Sequence, residues 1–361
     1  MRGYVARKGL AVWATPKEAG TDFRDLAMKT ALGLQWRPTY TAGTPADQNP
    51  DQMAALQSVA PTAKSCAPRR TLSSAERLRL LARMFTRPVF ADIARSGNWQ
   101  VALGFLAEHG LLTATKGQPL ASLFESAWLE IRRAYRNEFV YKTEIAGRIV
   151  FGRHSPNTAS LHVELPVGRS IVDVAVFNGT STAYEIKTEF DTPRRLTTQT
   201  SDYLAAFDRV CLVTHPRCAE SYAEIVDPRV GVLVLTDRGS LRQIRGPLTN
   251  RNNVTPQTIF SCLQKAEYID AISMKTGAPV VKPSGIIQAY CGEIFREFTP
   301  QEAHAIFLSA LRKRKTDGET VRFVTALPES LRVLGYATPL SGRQRETALS
   351  ALREDVGFRL A

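Results

Sequence analysis

The spacing of apolar residues changes twice along this chain, and the changes divide it. Residues 1–70 have little periodicity, and the stretch TYTAGTPADQNPDQ reads as linker or disorder. From Thr71 the pattern becomes helical. Thr71-Leu-Ser-Ser-Ala-Glu is a helix start with Ser73 or Ser74 as N-cap, and helical spacing runs from Ser74 to about Phe90. In ADIARSGNWQVALGFLAEHGLLTA two short helices joined at Ser96-Gly97-Asn98 are expected. They form either a small helical pair packing its own core or a helix-turn-helix-like reader over 91–114. Ser122 to Arg153 is amphipathic and forms one bent helix or two.

The period then shifts from 3.6 to 2. LHVELPV, SIVDVAVF and TAYEIKTEF alternate as strands, with a hairpin turn at Asn178-Gly179. RRLTTQTSDYLAAF is helical, and RVCLVT and VGVLVLT are short apolar runs of the buried parallel-strand type. After about Arg245 the chain turns polar, and helical patterns resume at Thr255 and continue to the end. The expected class is therefore α/β. Its parts are a poorly structured region over 1–70, a small helical region over 71–121, a mixed core over 122–245 and a helical region over 250–361.

The alternation has a cost attached. Asp173 sits among Ile-Val and Val-Ala-Val-Phe, and Glu185 and Lys187 sit inside Ala-Tyr-Glu-Ile-Lys-Thr. Residues two apart on a strand share a face. Ile171, Asp173, Ala175 and Phe177 are thus expected on one face of their strand, and Ala183, Glu185, Lys187 and Glu189 on one face of the next. A hairpin brings those faces together, so Asp173, Glu185 and Lys187 converge, with Glu164 able to join from the preceding strand. A lone buried carboxylate takes up a proton or destabilises the fold, and two together are worse without a cation between them. A hard divalent ion such as Mg²⁺ or Mn²⁺ resolves this, because it accepts one or two carboxylates plus water and substrate phosphate. A surface strand pair with a Glu–Lys ion pair is the plainer alternative. It leaves the apolar flanks unexplained. On the following helix Arg195, Gln199 and Tyr203 form one stripe.

The remaining composition narrows the classes. The chain has 361 residues and a formal net charge of +13, which favours a polyanion partner such as nucleic acid. No apolar run reaches the about 18 residues of a membrane-spanning helix, and the basic N-terminal stretch has too short an apolar run for a signal peptide, so a cytoplasmic protein is expected. The five cysteines are irregularly spaced, which argues against a disulfide framework. Cys211, His215 and Cys218 make an incomplete zinc set in which Cys211 reads as a buried thiol. Arg312-Lys-Arg-Lys315 reads as a solvated helix end able to touch phosphate. Phosphate-loop, Gly-x-Ser-x-Gly and His-Glu-x-x-His patterns are absent.

Val172-Asp173, then Glu185-Ile186-Lys187 after the hairpin, then Gln199-Thr-Ser-Asp-Tyr203 on the next helix resemble the PD-(D/E)XK nuclease superfamily. The Gln-x-x-x-Tyr spacing is similar to its RecB-like branch. The wider run looks like an uncharacterised bacterial family within that superfamily. The resemblance covers about 122 to 245, and Val172 stands where the superfamily name has Pro. It implies a restriction-endonuclease-like core (helix, three strands, helix, strand) and an Mg²⁺- or Mn²⁺-dependent nuclease acting on DNA more readily than RNA. Asp173 and Glu185 would bind the metal and Lys187 would be the catalytic lysine. Gln199, Tyr203 and Arg195 would support the substrate or the site. The superfamily often adds a glutamate from the preceding helix, and Glu138 is preferred over Glu130 and Glu125, with Glu164 as a rival from a strand. Two other readings stand beside it: a nucleic-acid-binding regulator on an inactive nuclease fold, and a partner-binding protein acting through its C-terminal helices.

Overall fold

A computed structural model describes residues 72–361; the expectations for 1–70 lie outside them. Its centre is a six-stranded sheet in the order β2-β3-β4-β5-β6-β7: Ser160–Val167, Ser170–Phe177, Ser181–Lys187, Arg209–Thr214, Gly231–Leu235 and Leu241–Arg245. β2, β3 and β4 are antiparallel neighbours, β4, β5 and β6 run parallel, and β7 returns antiparallel at the edge. β5 and β6, which have parallel neighbours and are buried on both faces, are apolar at their central positions. The β3–β4 hairpin closes through Asn178, Gly179 and Thr180, with Gly179 at φ 65°, a backbone conformation that favours glycine. The edge strand β7 is half-exposed and polar, and its Leu-Arg-Gln-Ile-Arg gave no strand pattern in the sequence.

Helices cover both faces. On one side lie α1 (Ser74–Arg83), α2 (Arg87–Ser96), α5 (Leu120–Ala134) and α6 (Glu138–Ile145). With them, from the end of the chain, are α13 (Gly318–Ala326), α14 (Arg332–Ala337) and α15 (Gly342–Arg353). Their apolar stripes meet Val174, Val176, Tyr184, Ile186, Cys211 and Val213. On the other side α7 (Leu196–Leu204), α8 (Ala219–Ile225), α9 (Pro256–Cys262), α10 (Lys265–Thr276), α11 (Ile287–Phe295) and α12 (Pro300–Lys313) cover Ala175, Phe177, Ala183, Val210 and Leu212. The C-terminal residues are thus helical, and they divide between the two faces of the sheet.

Local chemistry sets the boundaries. Ser73 caps α1 in a reciprocal box with Glu76, and the helical run expected to continue to about Phe90 breaks at Met84–Thr86, just before Arg87-Pro88. Gly97 ends α2 in the left-handed conformation, at the expected turn. The second helix expected there is two short pieces, α3 (Trp99–Ala102) and α4 (Gly104–Glu108), and α2 packs against α15. The segment then enters a two-stranded ribbon in which β1 (Leu112–Ala114) pairs with β8 (Phe358–Leu360). The amphipathic stretch from Ser122 is two helices, α5 and α6, and the second runs into a π-helical turn over Ala146–Arg153. Of the basic run 312–315, Arg314 is paired with Glu267, and the Lys315 ammonium donates to the Tyr336 carbonyl at 3.0 Å. Half of that run therefore serves internal packing instead of facing phosphate.

Strict alternation fails at one place, and it matters. In β2, Leu161 packs on one face, whereas Leu165 and Val167 pack on the other. In β3, Val172 joins the second face while Val174 and Val176 join the first. The pairing passes from Val163↔Val174 to Leu165↔Val172, with Glu164 and Asp173 between. Glu164 has φ 55°, the left-handed region that a non-glycine residue enters at a cost of about 1–3 kcal/mol. Both strands therefore turn over at the acidic position. Ile171, expected on the face of Asp173 and Ala175, is instead exposed.

Candidate active site

The site lies where β3 and β4 separate. Their pairing ends at Val174↔Tyr184, so Asp173 and Glu185, the next residues along the two strands, stand at the opening. Asp173 Oδ2 accepts the Ile186 backbone N–H at 2.7 Å. Glu185 is fully buried and both its oxygens are engaged: Oε1 accepts from Lys187 Nζ at 2.5 Å, and Oε2 accepts from the Tyr203 hydroxyl at 2.7 Å. That hydroxyl is also 2.7 Å from the Ile171 carbonyl, so one proton lies within reach of two acceptors. β4 stays paired to β5 throughout, with Glu185 opposite Leu212, and this holds the Glu185 end rigid while the β3 side opens.

The electrostatics follow from burial. Burial raises the Asp173 carboxyl from the ordinary 3.8 to about 7, with Glu185 and Glu138 adding to it and the Ile186 N–H and Lys142 opposing. Burial also raises the Tyr203 hydroxyl, and the neighbouring Glu185 carboxylate raises it further, so the ring donates its proton and does not give it up. Gln199, one turn earlier on α7, touches the same hydroxyl, and its buried Oε1 has no hydrogen-bond partner among the described residues.

α6 supplies the remaining charges. Glu138 lies in its first turn, close enough to act on Asp173, and Lys142 Nζ bridges Glu138 Oε1 at 2.5 Å and Glu164 Oε1 at 3.1 Å. Arg87 holds the other Glu164 oxygen at 3.1 Å. Lys142 is a buried ammonium that sequence reasoning missed. Burial lowers its pKa, but Glu138 and Glu164 outweigh burial and the net shift is upward. The Glu138–Lys142 spacing of four residues was the available signal. Glu164 therefore reaches the site through Lys142. The other two glutamates weighed for the role are elsewhere: Glu130 is paired with Arg77, and Glu125 accepts from Ser330. Arg195, in the stripe with Gln199 and Tyr203, is an exposed N-cap residue of α7.

Asp173, Glu185, Lys187, Gln199, Tyr203 and Glu138 thus converge, with Lys142 added. Among the described residues no group of three His, Cys, Asp or Glu side chains is placed to hold a metal ion. This also bears on Cys211, which is a buried thiol that burial pushes up to about 12. Among the described residues no helix is long and apolar enough to cross a membrane.

A solved structure of SPO1766, a protein of unknown function from Silicibacter pomeroyi, is 19% identical. The similarity covers 35% of this chain and 86% of that one, with a TM-score of 0.23. No curated protein matches the chain. The family described as bacteriophage P4 protein cII matches residues 132–331, more than half of the chain and all of the six-stranded sheet with its acidic opening. The chain belongs to the bacteriophage P4 cII protein family.

Proposed function

We propose that the protein is a metal-dependent nuclease that hydrolyses phosphodiester bonds, with DNA as its main substrate. One observation carries this: Asp173 and Glu185 are set together at an opened strand pair, with Lys187 on Glu185. Buried carboxylates without full compensation are unfavourable, and the raised Asp173 pKa records the deficit.

The residues fit a hard divalent ion. The donors are all oxygen: Asp173 and Glu185, with Glu138 beside Asp173. Mg²⁺ needs only one or two carboxylates when water and substrate phosphate complete its shell, so the lack of a three-residue cluster among the described residues is compatible with it. The unpartnered Gln199 Oε1 suits a site that takes a further donor. When bound, such an ion lowers the pKa of water and neutralises phosphate charge. The chain's own residues position that chemistry. Tyr203 fixes the Glu185 carboxylate, and Lys187 offers an ammonium beside it to stabilise developing negative charge on a phosphate. The Ile186 N–H orients Asp173. Glu138 and Lys142 set the local charge.

One observation favours a second reading, a nucleic-acid-binding regulator on an inactive fold. Lys187 and Tyr203 already occupy both Glu185 oxygens, and no three-residue metal group is formed among the described residues. Incubation with supercoiled, linear and single-stranded DNA and with RNA, in Mg²⁺, Mn²⁺ or EDTA, separates the two. The nuclease reading expects cutting that EDTA abolishes. Salt-sensitive binding without cutting of any substrate supports the regulator.

A further inference from the structure

Next to the acidic opening an exposed phenylalanine packs on a half-buried tyrosine. Phe190, three residues beyond Lys187, is 64% exposed, far more than an aromatic ring recruited to a core. Its ring meets Tyr135 at 6.0 Å between centroids, tilted by 38°, at the C-terminal end of α5. Tyr135 and Arg136 immediately precede Asn137, the N-cap of α6, and so lie beside Glu138. His215 ties the two segments together: its Nε2 is 3.5 Å from the Arg136 guanidinium and 3.9 Å from the Glu189 carboxylate. The aromatic pair therefore stands at the carboxyl ends of β4 and β5, the edge at which open α/β sheets take ligands.

Beyond Tyr135 and Arg136 a pocket of about 460 Å³ opens between α5 and the turn after β6. Its carboxylates are already matched. Glu130 is held by Arg77, Glu144 by Arg132 and Arg148, and Asp237 by Arg136. Arg133 and Arg238 line the same pocket, are exposed, and make no ion pair among the described residues, so the rim carries two uncompensated positive charges.

We propose that Tyr135 and Phe190 are a base-stacking platform and that Arg133 and Arg238 hold the adjoining phosphates, so the strand entering the site is unpaired, with DNA as its identity taken from the nuclease reading. A π-face accepts any base only when that base is unpaired. Arg133 lies two residues before Tyr135 in the chain and Arg238 lines the same pocket, so the cationic rim adjoins the platform on its α5 side, where the phosphates of a stacked strand can be neutralised. The proposal deepens the nuclease reading and rests on it for the direction of the strand toward Asp173 and Glu185.

The test is equilibrium binding of a fluorescent oligothymidylate, its duplex and the matching RNA, with EDTA present so that no strand is cut. The single DNA strand is expected to bind tightest. Phe190→Ala and Tyr135→Ala each weaken it by about 5- to 150-fold, the range for one lost stack, while Phe190→Trp restores it. Arg133→Gln and Arg238→Gln should each lower the salt slope by about 0.7. Phe190→Ala that binds like the parent overturns the platform, as does duplex or RNA bound more tightly than the DNA strand. The nuclease reading fails separately: a parent protein that never cuts with Mg²⁺ but loses strand binding with Phe190→Ala refutes cleavage and leaves the platform standing.

Discussion

Replacing Asp173 by Asn should stabilise the protein at and above neutral pH and leave it nearly unchanged at about pH 4. Burial, then Glu185 and Glu138, lift the Asp173 carboxyl from 3.8 to about 7. Between about pH 4 and pH 7 the folded chain keeps a proton that the unfolded chain has released, so stability falls as pH rises through that window and is flat above it. The rise corresponds to about 4 kcal/mol, fully expressed at about pH 8 and absent below about pH 4. Asn mimics the protonated acid, and its Oδ1 still accepts the Ile186 N–H. Urea titrations of parent and Asp173→Asn in EDTA should therefore diverge with pH, the variant gaining up to about 4 kcal/mol at about pH 8. His162, which burial lowers to about 4, and Asp208 affect both proteins alike and cancel in the difference. A difference that is the same at about pH 4 and pH 8, or a variant less stable at pH 8, refutes the electrostatic account of the site.

Further outcomes follow from the same contacts. Tyr203→Phe removes the donor to buried Glu185 and should cost about 1–3 kcal/mol in urea unfolding; an unchanged midpoint would contradict the bond. Lys142→Met leaves Glu138 and Glu164 without their shared cation. Both are half-exposed, so water screens the loss and the expected destabilisation is about 1–3 kcal/mol, and an unchanged urea midpoint would contradict the bridge. Asp208 is buried and accepts from the Thr180 and Thr249 hydroxyls and the Asn250 and Arg251 N–H groups. Burial alone would raise its carboxyl, but these donors hold it well below the usual range. Its contribution is present above about pH 4 and lost as pH falls further. Asp208→Ala should cost about 3–5 kcal/mol at neutral pH, and acid unfolding that proceeds identically in the variant would sink that assignment.

The sheet was legible because strand periodicity and the Asn178-Gly179 turn are local signals. So was the approach of Asp173 to Glu185, since a hairpin brings the residues just past its last pair close together. The turnover of β2 and β3 was not. It depends on Glu164 adopting φ 55°, which nothing in Leu-His-Val-Glu-Leu-Pro-Val announces, and it is why Ile171 and Val172 exchange sides. β7 escaped because a polar edge strand has no buried face to produce alternation, and β8 because its partner Leu112–Ala114 lies far back in the chain. The break at Met84–Thr86 was foreshadowed by Pro88, but apolar spacing carried on through it. Lys142 was hidden for a different reason: a lysine beside a glutamate four residues away reads as a surface pair, and only tertiary packing buries it against Glu164. Glu130 and Glu125 competed with Glu138 because helix spacing alone does not say which turn faces the strand opening.

Cleavage by proteins altered at Asp173 and Lys187 separates catalysis at this site from binding alone. Parent, Asp173→Ala and Lys187→Ala proteins, purified identically, would be incubated with supercoiled and single-stranded DNA in Mg²⁺ and in EDTA, with binding measured in parallel. Cutting by the parent that needs the ion and disappears in both variants, with binding retained, is the predicted result. Cutting that survives both substitutions would contradict the assignment of Asp173 and Lys187 to the chemistry.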